Sequence, residues 1–461
     1  MPRRWAVLGV VAAGAFLAFL DVTIVNIAFP AIEADVGGAG LAGLSWILNG
    51  YAIVFAALLV PAGRLADRIG RRRGFVVGLS VFVAGSALCA IAPGVEALVG
   101  ARVVQAAGAA LMVPTSLALL LPEFPPTQRA TAVGLWGATG AVAAATGPTL
   151  GGLLVEQAGW RWVFLVNLPL GILTVVLAYR ILRETRDPSS ARPDVLGAAG
   201  LAAGVGALAL GLVQGDDWGW TSPAVLGAFA VAAALAAVTV LRARSHPEPV
   251  IDPALVRVRS FSVGSAATLL FAVGFFALIL GNVLFLTSVW GYSALEAGVA
   301  ITPGPVMAAL LAGPAGALSD RYGQRVVAVP GCLLFAAGCA FFLTQAGPAP
   351  DYAAEILPGQ ILTGAGIGLA FPTLGSAAVA QLPAARFATG SAVVAMSRQI
   401  GAVLGVSLLV VVLGTPAPAD PMPAFDGAWT LMLVAALAAG AATLGLGRVR
   451  VGAPVPEGSP A

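Results

Sequence analysis

The chain has 461 residues, of which 59% are hydrophobic and only 10% are charged, and its formal net charge is +3. Soluble domains carry about 25% charged residues because their surfaces must be hydrated. The composition therefore excludes a soluble globular protein and indicates a polytopic membrane protein. All 24 basic residues are arginine. They fall mainly between the apolar runs, a distribution that argues for membrane orientation and against nucleic-acid binding.

Long, continuous apolar runs predict an all-α fold, because a helix needs about 20 apolar residues to cross a bilayer. The first run could pass for a signal peptide, but it continues to Pro30, which favours an uncleaved span. Fourteen spans are predicted, at about 6–30, 46–66, 74–93, 97–121, 132–155, 161–181, 195–213, 223–241, 261–289, 297–318, 326–345, 353–376, 387–413 and 426–446.

The arginines also predict the orientation of the spans. An even number of spans places both termini on one side, and every arginine except Arg102, Arg161 and Arg398 falls on or beside that side. Arginine-rich loops remain in the cytoplasm. The Ala- and Gly-rich, lysine-free composition is typical of a GC-rich bacterial genome. We therefore expect a multi-pass protein of the bacterial cytoplasmic membrane with both termini in the cytoplasm.

An internal repeat divides the chain into two halves. "GRLADRIGRR" (63–72) and "GALSDRYGQR" (316–325) share six of ten residues, and "AGAALMVPTSLAL" (107–119) aligns with "AGIGLAFPTLGSA" (365–377). Such duplication is typical of transporters that bind their cargo between the halves. The predicted units are an N-terminal six-helix half (1–190), an inserted helix pair (191–245), a cytoplasmic loop (246–260), a C-terminal six-helix half (261–448) and a disordered cytoplasmic tail (449–461).

Six motifs in this sequence resemble the 14-span drug:proton antiporter branch of the major facilitator superfamily. The first is the "GRLADRIGRR" segment. The others are "LDVTIVNIAFPAI" (20–32), "ARVVQAAGAALMVPTS" (101–116), "GPTLGG" (147–152), "GWRWVFLVNLPLG" (159–171) and "SRQIGAVLGVSL" (397–408). Two positions depart from the family pattern, because Ala106 and Ala143 stand where glycine is usual. The resemblance implies a major facilitator fold of two six-helix halves, with two further helices inserted between them.

The repeated segment is expected to contain gating loops. Glycine permits a tight turn at a helix end, and Asp67 can accept hydrogen bonds from Arg68, Arg71 or a neighbouring helix N-terminus. The resemblance implies that these contacts latch the two halves on the cytoplasmic side in the outward-open state. A plain arginine-rich loop is the alternative interpretation. The predicted gating residues are Gly63, Asp67, Arg68, Gly70, Arg71, Gly316, Asp320, Arg321 and Gly323.

Three charged residues, Asp21, Arg102 and Arg398, lie inside predicted spans, where a charge costs at least ~2.5–3.5 kcal/mol. Asp21 lies ~5 Å and Arg102 ~10 Å outward of the middle of their spans, so adjoining helices would allow them to pair. Burial favours the protonated carboxyl, whereas a nearby arginine favours the carboxylate. We expect Asp21 and Arg102 to couple transport to protons; a static ion pair is the alternative.

Amide side chains inside the spans are candidates for the substrate cavity, although they could equally join helices by hydrogen bonds. Gln360 occupies the position in the second half that Arg102 occupies in the first, so we expect the charge chemistry to belong to the N-terminal half. Phe271, Phe275 and Phe276 could contact either an apolar drug or lipid. The predicted cavity residues are Asn26, Gln105, Asn167, Asn282, Gln360, Arg398 and Gln399.

The "GPTLGG" segment is expected to let a neighbouring helix approach closely, with Pro148 bending its span. The resemblance implies that this antiporter motif (Gly147, Pro148, Gly151 and Gly152) favours exchange over leak. Ordinary packing by small residues is the alternative.

Together these features predict a secondary exporter that exchanges protons for an amphipathic, cationic or neutral drug-like compound. A proton-coupled porter dedicated to one endogenous product, such as an antibiotic, siderophore or amino acid, is the alternative.

Cys89, Cys332 and Cys339 lie in apolar runs and are expected to be buried hydrophobic residues. No cluster of His, Cys and carboxylate side chains points to enzymatic chemistry, so we expect no cofactor and no metal. The expected partners are the substrate, protons and the lipid bilayer, and the protein is expected to be a monomer.

Overall fold

The computed structural model describes residues 3–36, 40–125, 128–186, 193–383, 386–414 and 420–446. Over these residues the regular structure is helical. Fourteen helices are long and apolar enough to cross a membrane, as the sequence predicted. The predicted disordered tail, 449–461, lies outside the described residues.

The membrane-spanning helices are numbered α1 to α14 in chain order. Their bounds are Arg3–Asp35, Gly40–Ile69, Arg71–Ala90, Val95–Glu123, Thr131–Ala158, Trp162–Ile181, Val195–Val213, Pro223–Ser245, Arg259–Ser288, Ala294–Tyr322, Gln324–Gln345, Tyr352–Val379, Thr389–Leu413 and Met422–Leu444. Four-residue helices at Gly215–Trp218 and Pro253–Val256 lie in the connections. We call the face that carries the α2–α3 connection the inner face and the opposite face the outer face.

Helices α1–α6 and α9–α14 form two bundles that repeat the same internal contacts. In the first, α1 packs along α5, and α4 packs against α2 and α3. In the second, α9 packs along α13, and α12 packs against α10 and α11. The matching contacts agree with the duplication seen in the sequence.

The inserted helices cover one side of the contact between the bundles. Helix α7 packs against both α2 and α13, while α8 packs mainly against α7. Helix α8 is almost entirely exposed outside this contact, as expected for an apolar helix facing lipid. The inserted pair therefore lies over the seam formed by α2 and α13.

The two bundles are closed at the outer face and separated at the inner face between α5 and α10. At the outer end, one hydrophobic cluster includes Ile24 and Phe29 of the first bundle and Phe285 and Ile301 of the second. At the inner end, a Cβ placed on Gly134 or Gly137 of α5, or on Gly313 or Gly316 of α10, would meet nothing within 4 Å. The described structure is therefore open toward the inner face.

Candidate functional site

Asp21 lies in a fully buried cluster of polar side chains on α1, α4 and α6. Its Oδ2 accepts a hydrogen bond from Arg102 Nη1 at 2.5 Å. Its Oδ1 accepts from Gln105 Nε2 at 2.8 Å and from Asn167 Nδ2 at 3.3 Å. The structure thus brings together the two in-span charges that the sequence placed at similar depth.

Arg102 is held by contacts beyond the carboxylate. Its Nε donates to Ile47 O at 3.2 Å, and its Nη1 also donates to Gln105 Oε1 at 2.6 Å. The guanidinium carbon lies 4.2 Å from the centroid of the Tyr51 ring, an attractive cation–π geometry. A buried arginine is tolerated only when its charge and its N–H groups find such partners.

The amides of this cluster also connect it to the rest of the first bundle. Asn167 Nδ2 lies 3.1 Å from Ser86 Oγ, which in turn donates to Phe164 O at 2.8 Å. Gln105 and Asn167, which the sequence placed in the substrate cavity, therefore belong to the Asp21 cluster. Asn26 is buried within α1, where its side-chain amide donates to Val22 O at 2.7 Å.

The "GPTLGG" segment of α5 makes contacts on two sides. Toward α1, Gly147 packs against Thr23 and Gly151 packs against Ile24. Toward α10, Gly152 packs against the backbone of Ala294 and Leu295. A side chain at any of these three glycines would collide with the neighbouring helix, so the small residues are required by close packing.

Helix α10 is interrupted where it meets this segment. Its regular hydrogen bonding is interrupted at Thr302, between the stretches Ala294–Ile301 and Pro303–Tyr322, because proline lacks the backbone N–H that a continuous helix needs. Thr149 Oγ1 and Thr302 Oγ1 are 2.7 Å apart, and Gly298 packs against the carbonyl of Pro148. These contacts close the outer face between the two bundles.

A cavity of about 80 Å³ lies directly inward of this closure. Apolar side chains of α1, α5, α9, α10 and α12 form most of its wall. Phe275 lines it and packs edge-on against Phe371, which also contacts the buried Phe271.

Two predicted cavity residues, Asn282 and Gln360, line this cavity. Both are buried, and neither Asn282 Nδ2 nor Gln360 Nε2 has a hydrogen-bond partner among the described residues. Asn282 Oδ1 accepts from Trp429 Nε1 at 3.3 Å. Because indole nitrogen can only donate, this contact fixes the orientation of the Asn282 amide and leaves its NH₂ group for a ligand.

The other two predicted cavity residues lie on α13. Arg398 lies deep in the protein and is only partly exposed, and Gln399 is buried with 6% of its surface exposed. Neither residue makes a hydrogen bond to any part of the chain that the structure describes.

The predicted gating segments are largely helical. Gly63 lies inside α2 and Gly316 inside α10, so neither forms the turn expected of it. Gly70 and Gly323 alone make the turns, with φ values of +116° and +93° that only glycine adopts readily. The turn is shorter than expected because an uninterrupted helix satisfies more backbone groups than a loop does.

The two copies of this segment differ in their contacts. Asp67 Oδ1 accepts from Arg71 Nε at 2.7 Å within the first copy, whereas Arg68 is exposed. In the second copy Asp320 and Arg321 are both exposed, and neither forms an ion pair within the described ranges. The predicted latch between halves stays a prediction, because the structure is open at the face where it would act.

Two ion pairs of the stretch 246–260 at the inner face were not predicted from the sequence. Arg64 of α2 donates from Nη2 to Glu248 Oε2 at 2.9 Å and from Nη1 to Glu248 O at 2.5 Å. Arg386 Nη1 lies 3.2 Å from Asp252 Oδ2. The acidic residues in the arginine-rich stretch 246–260 were a signal for such pairs, but sequence alone does not identify their partners.

These features define a polytopic helical transporter, with a buried charge cluster in one bundle and a cavity between two duplicated bundles. The chain belongs to the Major Facilitator Superfamily, whose family model matches residues 11–197, 188–406 and 264–460. This agrees with the family resemblance noted in the sequence.

Relatives of the chain include antibiotic and drug resistance proteins. A probable actinorhodin transporter of Streptomyces coelicolor is 35% identical over 421 residues, covering 88% of this chain and 72% of the relative. The multidrug resistance protein Stp of Mycobacterium tuberculosis is 34% identical, covering 87% and 74%. A methylenomycin A resistance protein of Streptomyces coelicolor is also 34% identical, covering 87% and 84%.

Solved structures share the fold at low sequence identity. A bacterial homologue of the human lysosomal transporter Spinster, in an inward-facing and unoccupied conformation, has a TM-score of 0.67 and 19% identity, covering 97% of this chain and 98% of that one. A peptide-bound POT family transporter also has a TM-score of 0.67, with 16% identity and 94% coverage of both chains.

Proposed function

We propose that this protein exports drug-like or antibiotic compounds from the bacterial cytoplasm in exchange for protons. The observation that carries the proposal is the Asp21 carboxylate, buried on α1 beside Arg102 and one helix away from the closed outer contact. A carboxylate at this depth is costly, and in transporters such residues usually carry protons. The names of the relatives support the choice of antibiotics and drugs as cargo.

In the proposed cycle, the structure corresponds to the state after a proton has left for the cytoplasm. In that state Asp21 would be ionised in its pair with Arg102, and the inner face would be open to cargo. After cargo binds, the bundles rock and open outward. The cargo leaves, and a proton from outside neutralises Asp21, weakening its pair with Arg102 and favouring return to the inward-open state.

The α5 motif supplies a physical connection between Asp21 and the outer closure. Thr23, two residues after Asp21, donates from Oγ1 to Ala143 O at 3.3 Å and packs against Gly147. A few residues along α5, Thr149 and Gly152 contact α10. A shift of α1 on protonation would therefore act on the contact that keeps the bundles closed.

The same chemistry would serve an exporter dedicated to one endogenous product. The similarity to a probable actinorhodin transporter favours an antibiotic over a siderophore or an amino acid as that product. In either case we propose that the chain works as a monomer with both termini in the cytoplasm, because each bundle contributes one wall of the cavity.

Proton release can be measured in everted membrane vesicles with a pH-sensitive dye while candidate compounds are added. We expect Asp21→Asn to abolish compound-driven proton release. Because the single variant leaves Arg102 charged and unpaired, the double variant Asp21→Asn/Arg102→Gln should be tested as well. Asp35→Asn is the control, since Asp35 pairs with Arg161 at the exposed outer end of α1. Full proton exchange by the double variant would exclude Asp21 as the coupling residue.

A further inference from the structure

Arg398 carries a charge deep in the protein without a partner. The residue lies near the middle of α13, where surrounding protein buries most of it. It makes no hydrogen bond, ion pair or ring contact with any part of the chain that the structure describes. Arginine at this depth normally pairs or faces an aqueous cavity, so Arg398 must face an internal space.

The neighbours of α13 identify that space. One side of the helix packs on α2, through contacts such as the hydrogen bond from Asn49 Nδ2 to Ser407 Oγ at 3.1 Å. Another side packs on α9, where Gly401 touches Leu269 and Gly405 touches Val273. At 100° per residue, Arg398 lies about 20° from Gly405 and about 180° from Ser407. It therefore lies on the side of α13 that faces away from α2 and next to the side that contacts α9.

The depth of Arg398 places it on the path from the inner face to the cavity. Gly401 is level with Leu269, so Arg398 lies about 5 Å further inward. Phe275 on the cavity wall is six residues beyond Leu269, or about 9 Å outward of it. A drug-sized molecule can therefore contact the guanidinium with one end and the Phe275–Phe371 pair with the other.

The unpaired polar atoms along this path favour a ligand that accepts hydrogen bonds. Asn282 Nδ2 and Gln360 Nε2 are unpaired donors on the cavity wall, and Arg398 offers only donors. Asp21 is the one carboxylate near the middle of the described spans, and Arg102, Gln105 and Asn167 already occupy it. A cationic cargo would thus find no free carboxylate in the described part of the cavity, while an anionic group would find a free guanidinium.

We infer that the cargo carries an acidic group, such as a carboxylate, phenolate or sulfonate, and that Arg398 binds it while an aromatic body packs on Phe275. The inference rests on the proposed export function and specifies its substrate class. It replaces the cationic or neutral cargo expected from sequence. Guanidinium and carboxylate or sulfonate groups can form two parallel hydrogen bonds, and loss of such a contact weakens binding about 10- to 100-fold.

A matched set of fluorescent probes tests this directly. Pyrenesulfonate, pyrenecarboxamide and pyrenyltrimethylammonium differ only in one substituent, and their binding to the purified full-length protein in detergent can be measured by fluorescence anisotropy. We expect the wild type to bind the sulfonate at least about tenfold more tightly than the ammonium compound. Arg398→Gln should lose about 10- to 100-fold in sulfonate affinity and less than about twofold in carboxamide affinity. The sulfonate affinity of Arg398→Lys should lie between that of the wild type and that of Arg398→Gln.

The carboxamide is an internal control for folding, because a collapsed cavity would lose all three probes. Equal sulfonate affinity in wild type and Arg398→Gln, or no preference for sulfonate in the wild type, would overturn the inference. Displacement of the sulfonate by added phosphatidylglycerol would assign Arg398 to a lipid headgroup and would also overturn it. Proton release in vesicles separates the two proposals: anion binding without proton exchange contradicts only the export mechanism, and proton exchange without anion preference contradicts only the role of Arg398.

Discussion

Gly152 of α5 and Ala294 of α10 meet backbone to backbone at the outer face, where a Cβ on residue 152 would lie 2.7 Å from Leu295 Cα. This contact joins the two bundles on the side of the molecule where they are closed. The residue next to it in space, Thr149, is hydrogen-bonded to Thr302. The antiporter motif is thus part of the surface along which the halves separate.

Gly152→Ala should therefore weaken the outer closure without harming the α5 helix itself, because alanine is the better helix former. Overpacking of this kind costs about 1–3 kcal/mol, and we expect at least about a fivefold loss of transport rate. Initial rates in everted vesicles, normalised to the amount of inserted protein, would measure the loss. Gly137→Ala is the matched control on the same helix, because a Cβ there meets nothing within 4 Å. Equal rates for the two variants would contradict this role for the Gly152 contact.

The Arg64–Glu248 pair should make a small contribution to transport. Glu248 is 44% exposed, and surface pairs of this kind contribute up to about 1 kcal/mol. Arg64→Gln should slow transport by less than about fivefold. Glu248→Gln should have a smaller effect, because the bond from Arg64 to the Glu248 backbone carbonyl remains. The exchanged pair Arg64→Glu/Glu248→Arg should recover part of the rate.

Transport rates at low and high salt would test that prediction, since an exposed pair is screened by ions. Arg183→Gln is a suitable control, because Arg183 is exposed and has no ion pair within the described residues. An effect of Glu248→Gln larger than that of Arg64→Gln would show that Glu248 acts through some other contact.

Asp194 should hold the inserted helices together in a pH-dependent way. Its carboxylate caps α7 by accepting from Gly197 N at 2.8 Å and pairs with Arg242 Nε of α8 at 2.7 Å. Burial by itself would raise the pKa of Asp194, but the hydrogen bonds from Arg242 and Gly197 more than offset it, so the pKa lies below its usual value. The pair therefore stabilises the fold fully above the unfolded-state pKa of about 3.9. This stabilisation is lost as the pH falls through the lower folded-state pKa.

Thermal unfolding in detergent at several pH values would measure this contribution. Asp194→Asn keeps the helix cap but loses the charge, at a cost of about 1 kcal/mol because Arg242 is partly exposed. Asp194→Ala should cost about 1 kcal/mol more, because it also removes the cap. The difference in Tm between wild type and Asp194→Asn should stay constant from pH 7 to about 4.5 and shrink as the pH falls further, through the lowered pKa. A difference that shrinks between pH 7 and 5 would contradict the lowered pKa.

Much of the fold follows from the sequence because the bilayer imposes strong rules on it. Span length and arginine distribution predict the number of helices, and the duplicated segment predicts the two bundles. The similar depth of Asp21 and Arg102, within about 5 Å, allowed them to pair if their helices adjoin. Gly70 and Gly323 were expected to turn the chain because only glycine adopts their φ values easily.

Other features of the site depend on contacts that no local pattern encodes. Gln105 and Asn282 are both in-span amides, yet one hydrogen-bonds Asp21 and the other lines the cavity. Whether an in-span amide hydrogen-bonds Asp21 or lines the cavity depends on which helices pack around it. The partners of Glu248 and Asp252 lie in α2 and at the start of α13, far away in sequence. The closed outer face and open inner face differ from the opposite arrangement by a few kilocalories per mole at most, which composition and spacing do not resolve.

The inserted helices make the two lateral borders of the cavity unequal. Helices α7 and α8 lie over the α2–α13 border, whereas Gly134, Gly137, Gly313 and Gly316 leave the α5–α10 border open at its inner end in the described structure. A lipophilic molecule dissolved in the inner leaflet would therefore reach the space between the bundles sideways at the α5–α10 border and not at the covered one. The extra helix pair thus makes the two lateral borders of the transporter different in the plane of the membrane, in addition to the difference between its inner and outer faces.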